Sequence, residues 1–453
     1  MMEIKVFKFG GASVNSAPGF RNVCRILKKY RNTPLMAVVS AMGKTTNALE
    51  TVLKHYLSND PIFLVESFNA IYDSHFAVIR ELFPDKNHPV YGEAESLFDQ
   101  LKGYIRKGHL YDKAHKTYDF EYDQVVSYGE LFSSCILGNY LSSQGINCRL
   151  FDARELIMTD ASYRDAKVDW EKTTLRVNAA ILPFFSEGGK AEFGLTQDNI
   201  ALNRNAELHT RAAVALTQGF IASEPSGNST TLGREGSDYT AAILAYILKS
   251  TELTIWKDVP GILNADPKWF VNPKKLPVIS YREAIELAYY GASVIHPKTI
   301  QPLENAGIKL YVKSFENPGA SGTLITGIDQ WDIRFPVYIR KQNQVLISIS
   351  PRDFSFIVEE NLSQIFRILA KYRAKVNVMQ NSAISFSVCL DRNEQVLSEL
   401  IEELSLNYEI RYNYNVDLFT VRHYTSSAIR RLTKGRIVLL EQKTRQTVHL
   451  VLK

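Results

Sequence analysis

Lys8-Phe9-Gly10-Gly11-Ala12-Ser13 places a lysine, paired glycines and a serine at the end of a strand-like run, Ile4 to Phe9. That combination can handle phosphate. Glycines let backbone N–H groups approach phosphate oxygens, and a following helix N-terminus favours the anion. The lysine can neutralise charge on a transferring phosphoryl group. A plain strand–turn–helix corner would use the same glycines. Ser40-Ala41-Met42-Gly43-Lys44-Thr45-Thr46-Asn47 is a second small-residue loop, expected to face the first across one sheet edge. Gly43-Lys44-Thr45 could close a P-loop, but that motif needs a glycine five residues before Gly43, where Val38 stands. The plainer reading is a strand-to-helix loop capped by Thr45 or Thr46.

Three further segments could do chemistry. Tyr128-Gly129-Glu130 lies in a helical stretch, where a lone glutamate usually faces water. In the segment from Thr230 to Tyr239, Gly233 and Gly236 bracket Arg234, and Ser237-Asp238 opens a helix. Ser237 or Asp238 could be a simple N-cap, while Arg234 could grip a carboxylate with its two-donor fork. Trp256-Lys257-Asp258-Val259-Pro260-Gly261-Ile262, ending in Asp266-Pro267-Lys268, is a strand followed by a turn, a pattern that a surface loop also satisfies. Zinc spacing, a Ser-His-Asp signature and G-x-G-x-x-G are all missing from the sequence, and His296-Pro297 reads as structural.

These segments need elements to hold them. Ile4–Phe9 is a strand, Phe20–Tyr30 a helix by its apolar spacing, and Pro34–Ser40 an apolar run of strand length. A strand this continuously apolar suits burial on both faces, as in a parallel sheet. Residues 45–145 are mostly helical in pattern. Val214–Thr217 leads into Gly219-Phe220-Ile221-Ala222, read as another buried strand. Asp238–Leu248 and Arg282–Tyr290 read as helices, Leu253–Trp256 and Ile308–Val312 as strands. This alternation predicts an α/β fold: an open, mostly parallel sheet sandwiched by helices over residues 1–330. A linker is expected over residues 331–343. Residues 344–453 then give the order β-α-β-β-α-β, followed by a shorter echo of one helix and two strands, an α+β ferredoxin-like pattern.

The whole chain, 453 residues and 45% hydrophobic, suits two or three globular domains. Its net charge of +5, from 53 basic and 48 acidic residues, is too small a bias to mark a nucleic-acid binder. Four scattered cysteines suit a reducing compartment. No signal-peptide pattern and no apolar run of membrane-spanning length occurs, so a cytoplasmic location without membrane contact is expected.

Taken together and in this order, the motifs resemble the aspartate kinase family, within the amino-acid kinase superfamily. The resemblance rests on Lys8–Ser13, Val39–Gly43, Ser127–Glu130, Gln218–Ile221, Leu232–Arg234, Gly236–Tyr239, Asp258–Gly261, Gly291-Ala292 with His296-Pro297, and Gly322–Ile325. It spans about residues 4–325, and the C-terminal region is similar to paired ACT domains, the second shortened. The resemblance implies phosphoryl transfer from Mg-ATP to the β-carboxylate of L-aspartate, a step towards lysine, threonine and methionine. Carried over by position, Lys8, Gly10, Gly11, Ser13 and Ser40 would hold phosphates, and Asp238 would orient Lys8. Thr46, Glu130, Phe220, Arg234 and Ser237 would bind aspartate, with Glu130 on its ammonium and Arg234 on its α-carboxylate. Lys257, Asp258, Leu263, Lys268 and Ser293 would line the nucleotide site, and Mg²⁺ would be held mainly by the nucleotide rather than by protein ligands. ACT-like units would join the chain into a homodimer or higher homo-oligomer.

The sequence departs from that pattern in places. Ala12 stands for a threonine, Leu263 for a tyrosine, and Ser293 for a lysine that many members carry. Lys257, where many members have threonine, is read as a relocated second cation. Two other readings stay open: a glutamate-type amino-acid kinase, and a catalytically weak amino-acid-sensing protein.

Overall fold

A computed structural model describes residues 2–108, 117–186, 213–292, 295–327, 335–353 and 355–453. The chain divides into two compact units. The first holds Met1–Ile262, Pro277–Ile285 and Ile295–Asp329, and the second holds Leu263–Leu276, Glu286–Val294 and Gln330–Lys453.

The first unit contains strands β1 (Lys5–Phe9), β2 (Leu35–Val39), β3 (Cys148–Phe151), β4 (Val214–Gln218), β5 (Ile221–Ser223), β6 (Ser229–Thr231), β7 (Glu252–Lys257), β8 (Val278–Ser280), β9 (Lys309–Ser314) and β10 (Thr323–Thr326). Among the described residues, eight form one sheet in the order β3-β4-β2-β1-β7-β9-β10-β8. The pairs from β3 through β9 are parallel, and only β9–β10 is antiparallel. β2 and β4 are buried along their whole length, as strands with helices on both faces must be. The helices are α1 (Ala17–Lys29), α2 (Thr45–Leu57), α3 (Pro61–Leu82), α4 (Val90–Gly108), α5 (Tyr118–Val126), α6 (Tyr128–Ser143), α7 (Ala153–Leu156), α8 (Trp170–Ser186), α9 (Gly236–Ile247), α10 (Tyr281–Tyr289) and α11 (Pro297–Ala306). Proline in the first turn starts α1, where its missing N–H costs nothing, and Phe20, Val23, Ile26 and Leu27 form its buried face.

Parallel register decides where the loops meet. Phe9 pairs with Val39 on one side and Trp256 on the other, and Val39 pairs with Gln218. The carboxyl ends of β1, β2, β4 and β7 therefore finish level with one another. Ligands in open α/β sheets sit beyond such ends. An aromatic cluster anchors this edge, with Phe9 stacked on Trp256 at 6.3 Å and Phe7 edge-on to Trp256 at 5.6 Å.

The strand expected through Gly219–Ala222 is interrupted. β4 stops at Gln218, and Phe220 takes a left-handed backbone with φ 67°. The chain then leaves the sheet for the hairpin β5–β6.

The second unit adds β11 (Val337–Pro351), β12 (Val376–Asn381), β13 (Phe386–Asp391), β14 (Tyr408–Arg422), β15 (Val438–Lys443) and β16 (Thr447–Leu452), with α12 (Glu359–Lys371), α13 (Glu394–Ser405) and α14 (Ser426–Thr433). Its antiparallel sheet runs β12-β13-β11-β14-β16-β15 among the described residues. The long strands β11 and β14 pair from Val337–Arg422 to Pro351–Tyr408 and serve both halves. Ile347, Ile365, Leu369, Leu400 and Leu404 belong to the core of the first half. The linker expected over 331–343 is not a separate segment where it is described, because Val337 onward is strand. Nor is the division linear in sequence. Trp269 and Phe270 pack on Phe419 and Tyr338, at ring distances of 5.7 and 4.7 Å.

Candidate active site

Beyond the ends of β1, β2, β4 and β7 lies a cavity of about 680 Å³ within the first unit. Lys8 reaches it from β1, followed by Gly10, Gly11 and Ser13. Ser40 follows β2, and Thr46 comes from the first turn of α2. Glu130 comes from α6, and Phe220 from the turn after β4. Arg234 precedes α9, and Ser237 and Asp238 occupy its first turn. Lys257 ends β7, and Asp258 follows it. Leu263 and Lys268 are not among the lining residues and fall in the segment grouped with the second unit. Ser293 lies outside the described residues.

The lysines share one carboxylate. Lys8 Nζ is 2.7 Å from Asp238 Oδ1, and Lys257 Nζ is 3.7 Å from Asp238 Oδ2. Burial alone would raise the Asp238 carboxyl, but Lys8 and Lys257 outweigh it and hold the group below the usual carboxylate range. Asp238 thus stays charged and fixes both ammonium groups. Removing one partner of such a buried pair costs roughly 3–5 kcal/mol, because the other charge is left uncompensated.

Glu130 is buried rather than facing water, contrary to the general expectation for a lone glutamate. Its Oε1 accepts the Ala41 N–H at 3.1 Å, while Oε2 is buried without a hydrogen-bond partner. Burial pushes this carboxyl up to about 8, against a smaller opposing pull that includes Lys8. An acceptor held this way gains most from a cation that arrives with a ligand.

Backbone shape completes the site. A side-chain carbon at Gly11 would lie 2.7 Å from the Gly43 carbonyl oxygen, so only glycine lets the first two loops touch. Neither Thr45 nor Thr46 caps α2, since the N-cap is Lys44 and the Thr45 hydroxyl donates to the Met42 carbonyl at 2.6 Å. Ser237 and Asp238 are not the N-cap of α9 either. Glu235 holds that position in a left-handed conformation, φ 54°, which brings both side chains inside the first turn.

Sequence reasoning missed part of the wall. Asn47 and Glu50 of α2, Tyr122 of α5, and Arg164 also line the cavity. Nothing in their local pattern separates them from ordinary surface residues.

The profile of the amino acid kinase family matches residues 3–314. The chain belongs to that family. Within it the chain is 30% identical to lysine-sensitive aspartokinase 3 of Escherichia coli, over 86% of this chain and 79% of that one. It is 28% identical to the chloroplastic bifunctional aspartokinase/homoserine dehydrogenase 1 of Arabidopsis thaliana, where it spans 42% of the relative's length. The structure of E. coli aspartokinase III with aspartate and ADP superposes with a TM-score of 0.77 at 26% identity, covering 99% of this chain and 96% of that one. These relatives place the chain in the aspartokinase branch of the amino acid kinase family.

Proposed function

We infer that the cavity transfers the γ-phosphoryl group of ATP to the β-carboxylate of L-aspartate, giving 4-phospho-L-aspartate and ADP. The observation that carries this reading is the sorting of charge within one cavity. Lys8 and Lys257 converge on Asp238, while Glu130 and Arg234 offer one carboxyl and one guanidinium in the same space. Phosphoryl transfer asks little covalent work of a protein; it needs positioning and charge neutralisation.

Gly10 and Gly11 bring backbone close to the phosphates, with Ser13 and Ser40 beside them. Lys8 and Lys257 face the phosphoryl oxygens, and Asp238 holds both in place. Glu130 takes the substrate ammonium on its free oxygen, and Arg234 takes the α-carboxylate in bidentate fashion. Thr46, Phe220 and Ser237 shape the amino-acid end. A β-carboxylate oxygen then bonds to the γ-phosphorus as the bond to the β,γ-bridging oxygen breaks, and ADP leaves with that electron pair. Mg²⁺ would be held by the nucleotide's phosphates and would supply neutralisation of oxygen charge there. Asp238, already paired with two lysines, is a poor ligand for it.

Location in the cytoplasm is supported by four cysteines that are all free and buried. Among the described residues, no helix is long and apolar enough to cross a membrane. Arg234→Lys tests the substrate assignment. A point charge cannot replace the planar fork, so the KM for aspartate should rise about tenfold or more while that for ATP holds. An unchanged KM for aspartate would remove Arg234 from the carboxylate.

A further inference from the structure

Arg164 has no part in the roles assigned above, yet it lines the same cavity. Its backbone is left-handed, φ 68°, a conformation that residues with a branched or long side chain seldom adopt. A buried carboxylate anchors it there. Its N–H donates to Asp123 Oδ2 at 2.9 Å, and Asp123 is fully buried, taking the Thr231 N–H and hydroxyl at 2.8 and 2.7 Å. Strain that the surroundings enforce this firmly gathers at functional sites.

The side chain is also oriented. The guanidinium lies 4.5 Å from the Tyr122 ring centre and 5.5 Å from that of Tyr118. Tyr122 is itself pinned, its hydroxyl donating to Glu50 Oε1 at 2.8 Å. Stacking occupies the face of the guanidinium. Of its five donors, one lies 3.4 Å from the exposed carboxylate of Asp119, a long contact. The backbone beside Arg164 abuts the loop that carries Arg234. A side-chain carbon at Gly233 would lie 2.4 Å from Asp165 Oδ1 and 3.3 Å from the Arg164 carbonyl oxygen. Two arginines on touching loops thus face one cavity.

We propose that Arg164 is the second guanidinium of a two-arginine clamp on the substrate's α-carboxylate, and so a determinant of specificity for a free amino acid. This rests on the aspartate reading of the cavity. The strained backbone sets the position, and the Tyr122 ring sets the plane.

Arg164→Gly tests it, because glycine accepts the left-handed backbone without strain and removes only the side chain. The measurement is kcat/KM for L-aspartate against its α-amide, in which the carboxylate is neutral. The variant's KM for aspartate should rise about tenfold, its KM for ATP should hold, and its preference for aspartate over the amide should fall by a similar factor. Arg164→Lys should recover part of that preference. An unchanged preference in Arg164→Gly overturns the proposal, whatever happens to the melting temperature, and leaves the aspartate reading standing. Wild-type protein that releases no ADP in response to aspartate overturns the aspartate reading instead.

Discussion

Glu130 shows how one carboxyl can trade stability for binding. Its ordinary value of 4.5 is pushed up to about 8 by burial. Between those values the unfolded chain has lost a proton that the folded protein keeps. Stability should therefore fall as the pH rises from about 4.5 to about 8. Glu130→Gln carries no such burden. Its melting temperature should exceed the wild type's near pH ~9, and the difference should shrink towards pH ~4. Its KM for aspartate should rise, since a neutral amide loses most of the attraction to an ammonium. A difference in melting that ignores pH would contradict the buried-carboxylate account. Lys257 makes a second residue-scale case. Lys257→Thr should lower kcat by about 10²–10³, the usual loss when one charge-stabilising donor goes. Adding Ser293→Lys should restore part of the rate. A single variant with normal kcat would remove Lys257 from the reaction.

At the scale of elements, the site depends on turns more than on strands. Gly219 and Phe220 end β4 and send the chain into the β5–β6 hairpin. A side-chain carbon at Gly219 would sit 2.5 Å from the Ser237 Cβ, in the first turn of α9. Gly219→Ala should displace Ser237 and Asp238 together, lowering kcat and raising the KM for aspartate in the same variant. A variant with wild-type constants would mean that α9 can shift without cost. This turn was not legible in the sequence, because Ala213 to Ala222 is nearly all small or apolar and Gly219 is its only breaker. The burial of Glu130 was hidden for a related reason. Its motif alone looks like any solvated glutamate. The signal lay in its neighbours, since Leu131 to Leu137 are all buried and mark α6 as a helix without a wet face there. The β1, β2 and β7 loops, by contrast, were legible. β2 is continuously apolar, β1 and β7 read as strands bounded by breakers, and parallel pairing leaves their ends level.

At the scale of the molecule, the grouping of Leu263–Leu276 with the second unit was not legible in the sequence. Trp269 and Phe270 lie far before residue 330 in sequence, yet their aromatic partners Tyr338 and Phe419 come after it. A chain ending at residue 330 should therefore expose these rings and aggregate or melt early, where a linear domain split would yield a well-behaved kinase fragment. Sedimentation and thermal melting of the fragment decide between them. The second unit also exposes Phe356, Leu406, Ile384 and Ile437, at 70%, 73%, 49% and 63%. These side chains are candidates for the homo-oligomer contacts that the sequence resemblance implies. Light scattering on the full chain should give a dimer or larger particle, and a strict monomer would contradict it.

The most direct test of the central claim is ADP release by purified protein with Mg-ATP, using L-aspartate, L-glutamate and N-acetyl-L-glutamate in turn, with hydroxylamine present to trap an acyl phosphate. The charge sorting around Lys8, Asp238, Glu130 and Arg234 predicts ADP release and hydroxamate formation that depend on aspartate and exceed the response to either glutamate compound. Release that ignores aspartate, a preference for a glutamate compound, or ADP without hydroxamate would contradict it.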